Sequence, residues 1–270
     1  MRIIVSVYKK FLEAYGSQGW WPLSGLDKSF FEEDKDWPGY VKFTGSEGTV
    51  EDFKKNWPRH LGVSPKNDRE RFEIITGAIL TQNTSWNNVE RVLYNLNRHS
   101  LNDPDKIKTV DTGELALLIK SAGYHNQKAV RLKGLALYFS KKYKILSHCF
   151  TKSLKDLRKE LLALKGIGPE TADSIILYAG ELPVFVIDAY TKRIFSRILG
   201  KYEKHDYDFW QDLFMTQLDR EKNKVEVFKE YHGLIVKHGK KFCKTVPLCE
   251  ACFLHNSCYT YLQNVDCKKI

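Results

Sequence analysis

The sequence predicts an all-α protein, and three observations predict it. Apolar residues recur three or four apart through most of the chain from Asp68 onward, the spacing of one helix face. Almost no stretch alternates apolar and polar residues as a half-buried strand does. Proline and glycine also stand where helices start and stop: Pro169 just after Gly168, and Gly123 after Lys120-Ser121-Ala122.

Taken in order, residues 1–16 form an amphipathic segment that fits a helix or a short strand. Trp20-Trp21-Pro22 follows, and two adjacent indoles are costly to leave in water, so core packing at a chain entry is the plain expectation. Residues 26–67 are punctuated by Trp37-Pro38, Trp57-Pro58, Ser64-Pro65 and several glycines, too often for long helices. They read as an irregular insertion or lid packed by its aromatics. From Asp68 the pattern gives two helices broken at the polar run Thr81–Ser85. Phe72, Ile75, Ile79 and Leu80 line the first; Val89, Val92, Leu93 and Leu96 line the second. Further helices fit 112–121, 126–142 and about 151–163, and three more fit 189–200, 206–219 and 224–239.

Between these groups lies Lys165-Gly166-Ile167-Gly168, a tight glycine turn that leads through Pro169 into an apolar-periodic helix with Ala172, Ile175, Ile176 and Ala179. The free N–H groups at such a helix start make a natural anion site. Ile167, between the glycines, anchors the turn in the core. Asp188 ends the apolar run Val184–Ile187, and it can cap the helix beginning at Ala189 or offer a carboxylate for chemistry.

A net charge of +10 and a pI near 9.1 fit a polyanionic partner or a merely basic surface. No run of eighteen apolar residues exists to span a membrane, and the opening MRIIVSVYKKFLEAYG lacks a small-residue cleavage site. An intracellular protein is therefore expected. Four of the six cysteines form the pattern C-x5-C-x2-C-x5-C at Cys243, Cys249, Cys252 and Cys258. That clustering favours a metal site over a disulfide framework. Four thiolates bind zinc or an iron–sulfur cubane, although a zinc ribbon would pair two C-x2-C knuckles and only one is present. Cys149 and Cys267 lie outside the pattern and read as ordinary thiols.

The stretch LKGIGPETADSIILYAGELPVFVID, with its preceding helix and the cysteine loop, resembles the helix-hairpin-helix DNA glycosylases of the endonuclease III superfamily. The resemblance covers residues 1–25 and 68–258 and leaves 26–67 outside it. It implies two helical lobes: a six-helix bundle at 68–180 containing the hairpin, and a lobe joining 1–25 to 181–270. It also implies double-stranded DNA carrying a damaged base as partner, bound by a monomer, and a [4Fe–4S] cluster in the loop 243–258. The first cysteine gap is one residue shorter than the family's usual one. In that family the hairpin grips a phosphate, here through Lys165, Gly166 and Gly168, and an aspartate some twenty residues on does the chemistry, here Asp188. Bifunctional relatives carry a nucleophilic lysine two residues after the second glycine; this chain has Glu170, which cannot form an imine. Gln82 matches the residue that plugs the gap left by a flipped base, and Tyr124 stands where relatives carry a wedge.

Trp20-Trp21-Pro22, GAILTQNTSW, AGYHNQKA and GIGPETAD together look most like the 3-methyladenine DNA glycosylases of the superfamily. In those enzymes the alkylpurine stacks between two aromatics, here Trp20 and Trp86, with Trp21 and Pro22 alongside. Facing indoles suit a cationic, electron-poor purine. The closest such relatives lack the four cysteines. The resemblance therefore implies a monofunctional alkylpurine glycosylase, with two alternatives: a glycosylase or abasic lyase for another lesion, or a non-catalytic DNA-binding iron–sulfur protein.

Overall fold

The computed structural model describes residues 2–19, 21, 31–33, 41–43 and 64–266. The all-α expectation holds. The one departure among the described residues is a short antiparallel pair, β1 (Phe31–Glu33) with β2 (Val41–Phe43), inside the segment read as irregular.

The chain divides into two compact units. One comprises residues 1–20 and 183–270. The other comprises residues 21–182.

In the second unit, α2 (Asp68–Leu80) is the central element. Phe72, Ile74, Ile75, Ala78, Ile79 and Leu80 are all buried, so the helix is covered around most of its circumference. Asn67 caps it by accepting from the Glu70 N–H at 3.0 Å. The break at Thr81–Ser85 follows, and α3 (Trp86–Arg98) begins after it. Short helices α4 (Pro104–Ile107) and α5 (Thr112–Leu118) pack on α6 (His125–Lys142). Helix α7 (Leu154–Leu162) is capped by Ser153 and leads into the glycine turn. It is shorter than the sequence expectation because residues 146–151 form a separate 3-10 turn.

Helix α8 (Pro169–Ser174) also departs from expectation. It runs on not as α-helix but as a single π turn over Ile175–Ala179. The wider turn ends at Gly180, where a methyl group would lie 2.5 Å from Phe150 Cδ1.

Glu160 of α7 joins three elements. It accepts from Tyr138 Oη at 2.7 Å, Tyr143 Oη at 2.5 Å, Lys142 Nζ at 3.0 Å and Lys152 Nζ. Burial pushes its pKa up, but the Lys152, Tyr138, Tyr143 and Lys142 contacts outweigh that and hold it at about 2. A depressed carboxylate stabilises the fold above its unfolded pKa and loses that contribution as pH falls through the folded one. Glu160→Gln is therefore expected to cost on the order of 2 kcal/mol at neutral pH. Paired thermal melts should show the deficit shrinking as pH drops from about 4.5 towards 2.

In the first unit, the amino-terminal segment is a helix, α1 (Ile3–Tyr15), with Ile4, Val7 and Phe11 buried. It packs on α11 (Lys224–Lys241), and Tyr231 Oη donates to the Ile4 carbonyl at 2.7 Å. Helices α9 (Ala189–Leu199) and α10 (Tyr207–Gln217) complete the core around Phe185, Phe195, Trp210 and Phe214. The chain ends its described course in α12 (Tyr259–Asp266), after the cysteine segment. Among the described residues no helix is long and apolar enough to cross a membrane.

Candidate active site and cysteine centre

The glycine turn is built as its sequence demands. Gly166 has φ +88°, a conformation that residues with a Cβ rarely adopt, and a methyl group there would lie 2.8 Å from Arg131 Cδ. Ile167 is buried beneath the turn, while Lys165, Gly168 and Glu170 are exposed. Behind it, Arg158 Nε and Nη2 fork onto the fully buried Asp173 carboxylate at 2.9 and 3.3 Å, tying α7 to α8.

Gln82 reaches this turn from the break after α2. Its Nε2 donates to the Gly166 carbonyl and to Thr171 Oγ1, both at 3.0 Å, and its Oε1 accepts from Arg131 Nη1 at 2.9 Å. The residue read as a plug braces the hairpin here. Tyr124, read from the sequence as a wedge, is 67% exposed and held at φ 45° at the start of α6. Sequence reasoning missed Lys128, which is 1% exposed and donates to the Leu80 carbonyl at 2.9 Å and the Ala122 carbonyl at 2.8 Å. One buried ammonium thus links the turn carrying Gln82 to the turn carrying Tyr124. Burial, with Arg131 adding repulsion, lowers its pKa to about 8.

Among the tryptophans, Trp21 is buried, and its ring meets Trp86 edge-on at 5.0 Å and Tyr178 at 5.3 Å. A methyl group on Gly77 would lie 2.6 Å from Trp21 Cζ2, so α2 admits the indole only through a glycine. Trp86 Nε1 donates to Glu90. Trp20 and Pro22 lie outside the described residues.

In the other unit, Asp188 caps α9 and is 7% exposed. Its Oδ1 accepts from Thr191 N at 2.6 Å and Thr191 Oγ1 at 2.7 Å. Its Oδ2 faces His232 Nε2 of α11 at 3.6 Å. Burial works to raise the carboxyl pKa, but His232 and Thr191 outweigh it, so the group stays below the usual carboxylate range and ionised at neutral pH. Nothing local in the sequence pointed to His232. The arrangement offers one oriented carboxylate that can stabilise a developing cation or accept a proton from water.

Cys243, Cys249, Cys252 and Cys258 line one open cavity, beside Arg197 and His238. Cys243 Sγ accepts from Arg197 Nη1 at 3.3 Å, and Arg197 also binds the Lys244 and Thr245 carbonyls. Burial raises the thiol pKa values of Cys249, Cys252 and Cys258, that of Cys252 to about 11. Holding these groups as thiolates needs positive charge in their midst. Among the described residues no three His, Cys, Asp or Glu side chains converge on the point that a single ion requires.

A family model for HhH-GPD superfamily base excision DNA repair proteins matches residues 76–216, just over half of the chain. The chain belongs to this superfamily. A candidate DNA repair glycosylase of Methanocaldococcus jannaschii is 38% identical to this HhH-GPD protein over 95% of its length and 96% of the relative's. Endonuclease III of Sulfolobus acidocaldarius is 30% identical over 73% of this chain and 85% of its own. Among solved structures, a Helicobacter pylori 3-methyladenine DNA glycosylase bound to 1,N6-ethenoadenine matches with a TM-score of 0.59 and 29% identity, covering 71% of this chain and 93% of its own. An endonuclease III trapped as a covalent DNA intermediate matches with a TM-score of 0.61 at 21% identity, over 80% and 94% of the two chains, and shares the fold.

Proposed function

We propose that this base excision repair DNA glycosylase of the HhH-GPD superfamily is monofunctional, and that it hydrolyses the N-glycosidic bond of an alkylated purine such as 3-methyladenine. The observation that carries the reading is the residue in the first turn of α8. Glu170 stands there, a carboxylate without the amine a Schiff base requires. Water is then the nucleophile. It attacks C1′ as the bond to the base breaks, and Asp188 stabilises the oxocarbenium-like sugar and takes the proton that water gives up. An N3-methylated purine departs as a neutral base, so little acid catalysis is needed. The edge-on Trp21–Trp86 pair supports an aromatic base pocket to which Trp20 and Pro22 would add, and the Helicobacter pylori relative acts on 3-methyladenine by name.

The base must leave the duplex to be cut. In this reading Lys165, Gly166 and Gly168 hold a phosphate, while Gln82 and Tyr124 occupy and wedge the gap. Cys243, Cys249, Cys252 and Cys258 would hold a [4Fe–4S] cluster. Their common cavity and the Arg197 donor support this, and such a group supplies the positive centre that keeps them thiolates. An endonuclease III-like lyase acting on another lesion is the second reading, favoured by the Sulfolobus relative, with Lys165 or Lys192 as the amine.

Duplexes each carrying one lesion, assayed for free base before alkali, test the proposal. Release of 3-methyladenine with no borohydride-trapped protein–DNA adduct is expected. Efficient trapping by the unmodified protein would favour the lyase.

A further inference from the structure

The amino-terminal helix touches the cysteine segment at two points distant in sequence. Tyr15, the last residue of α1, places Oη 2.8 Å from His238 Nδ1, and the opposite ring nitrogen, Nε2, lies 3.5 Å from Cys252 Sγ. One turn and a half earlier on α1, Lys10 Nζ donates to Ser257 Oγ at 2.9 Å, next to Cys258. His238 is 1% exposed, and its ring lies 4.7 Å from Phe11, 5.3 Å from Phe253 and 5.6 Å from Phe242. The three groups meet directly, and the Phe11, Phe242 and Phe253 rings cover the imidazole.

We propose that α1 helps to retain and tune the cysteine centre through a relay in which Tyr15 donates to His238 and His238 donates to Cys252. The inference rests on the reading of the four cysteines as cluster ligands. Its logic is a matter of proton positions. A ligating thiolate can only accept a hydrogen bond, so Nε2 must carry the proton. A neutral imidazole then has a bare Nδ1, which must accept, and the Tyr15 hydroxyl must donate. Phe11, Phe242 and Phe253 pack around the imidazole, so an unpaired charge on the ring would be costly there. Arg197 does the same service at Cys243. Partners behind a ligand orient it and set its basicity. A sulfur stripped of its donor is more electron-rich and favours the oxidised, more easily lost centre.

The test uses the full chain loaded anaerobically with iron and sulfide. Tyr15→Phe keeps the ring against Phe11 and Phe253 and removes only the hydroxyl. His238→Leu removes the donor to sulfur, and His238→Gln restores a nitrogen donor without a tautomer to fix. The measurements are the midpoint potential and the rate at which the visible cluster absorption bleaches under a chelator in air. Tyr15→Phe and His238→Leu should shift the potential negative and bleach several-fold faster. His238→Gln should lie nearer the unmodified protein and should not respond to adding Tyr15→Phe. Variants that load normally and match the unmodified protein in both potential and bleaching rate would overturn the relay alone. A chain that takes up no iron and sulfide would overturn the cluster reading, and the relay with it.

Discussion

Asp188→Asn should lower single-turnover base release by roughly a thousandfold, the scale of losing a key electrostatic stabiliser, while binding to abasic-site DNA changes little. The substitution is unusually clean. Asparagine caps helices about as well as aspartate, and its Oδ1 can still accept from Thr191 N and Oγ1. What disappears is the negative charge that the proposed mechanism sets against the sugar, together with the ability to accept a proton from water. Circular dichroism should therefore report an intact fold while released base, followed by chromatography, falls towards background. Retention of more than a tenth of the rate would remove Asp188 from the chemistry. In the same proposal this carboxylate should set the acid limb of the pH profile. Its pKa is held down by His232 and Thr191, so it remains charged until pH falls below the ordinary aspartate range. Release should stay flat through mildly acidic pH and decline only beyond it.

Glu170→Lys should convert a protein that gives no borohydride-trapped adduct into one that does. The site is exposed and lies in the first turn of α8, where the helix dipole opposes a cation, so the introduced amine should have a lowered pKa and more free base at neutral pH. Losing the favourable Glu170 charge at the helix start costs about 0.3–1 kcal/mol, too little to unfold the bundle. A trapped adduct and strand nicking are expected on lesion DNA, both abolished by adding Asp188→Asn if that residue starts the reaction. Failure of Glu170→Lys to trap, with base release preserved, would mean that residue 170 does not face the sugar.

The parts of this fold written locally could be read from sequence. Asn67, Ser153, Asp188 and Asp206 each cap a helix from one position, and Gly166 announces a left-handed turn by itself. The parts made by packing could not. The π turn at Ile175–Ala179 has the same apolar spacing as an α-helix, so periodicity does not distinguish them. Lys128 reads as one more solvated lysine in a polar stretch until the fold closes two carbonyls over it. His232 and His238 lie on one helix but serve Asp188 and Cys252 on other elements, a pairing no linear motif encodes. The strands β1 and β2 are three residues each, too short to leave a period.

The unit holding Asp188 and the cysteines is stitched from two segments far apart in sequence: Tyr231 grips Ile4 across 227 positions, and His238 meets Tyr15 across 223. Residues 21–182 carry their own buried centre and can close while the ribosome is still at work. The stitched unit has to wait until residues 183–266 have been made, with α1 left without its α11 partner meanwhile. If the four cysteines hold the proposed cluster, order of synthesis puts its loading after the bundle has closed, so a nascent chain starved of iron should be caught with residues 21–182 folded and the stitched unit unfinished.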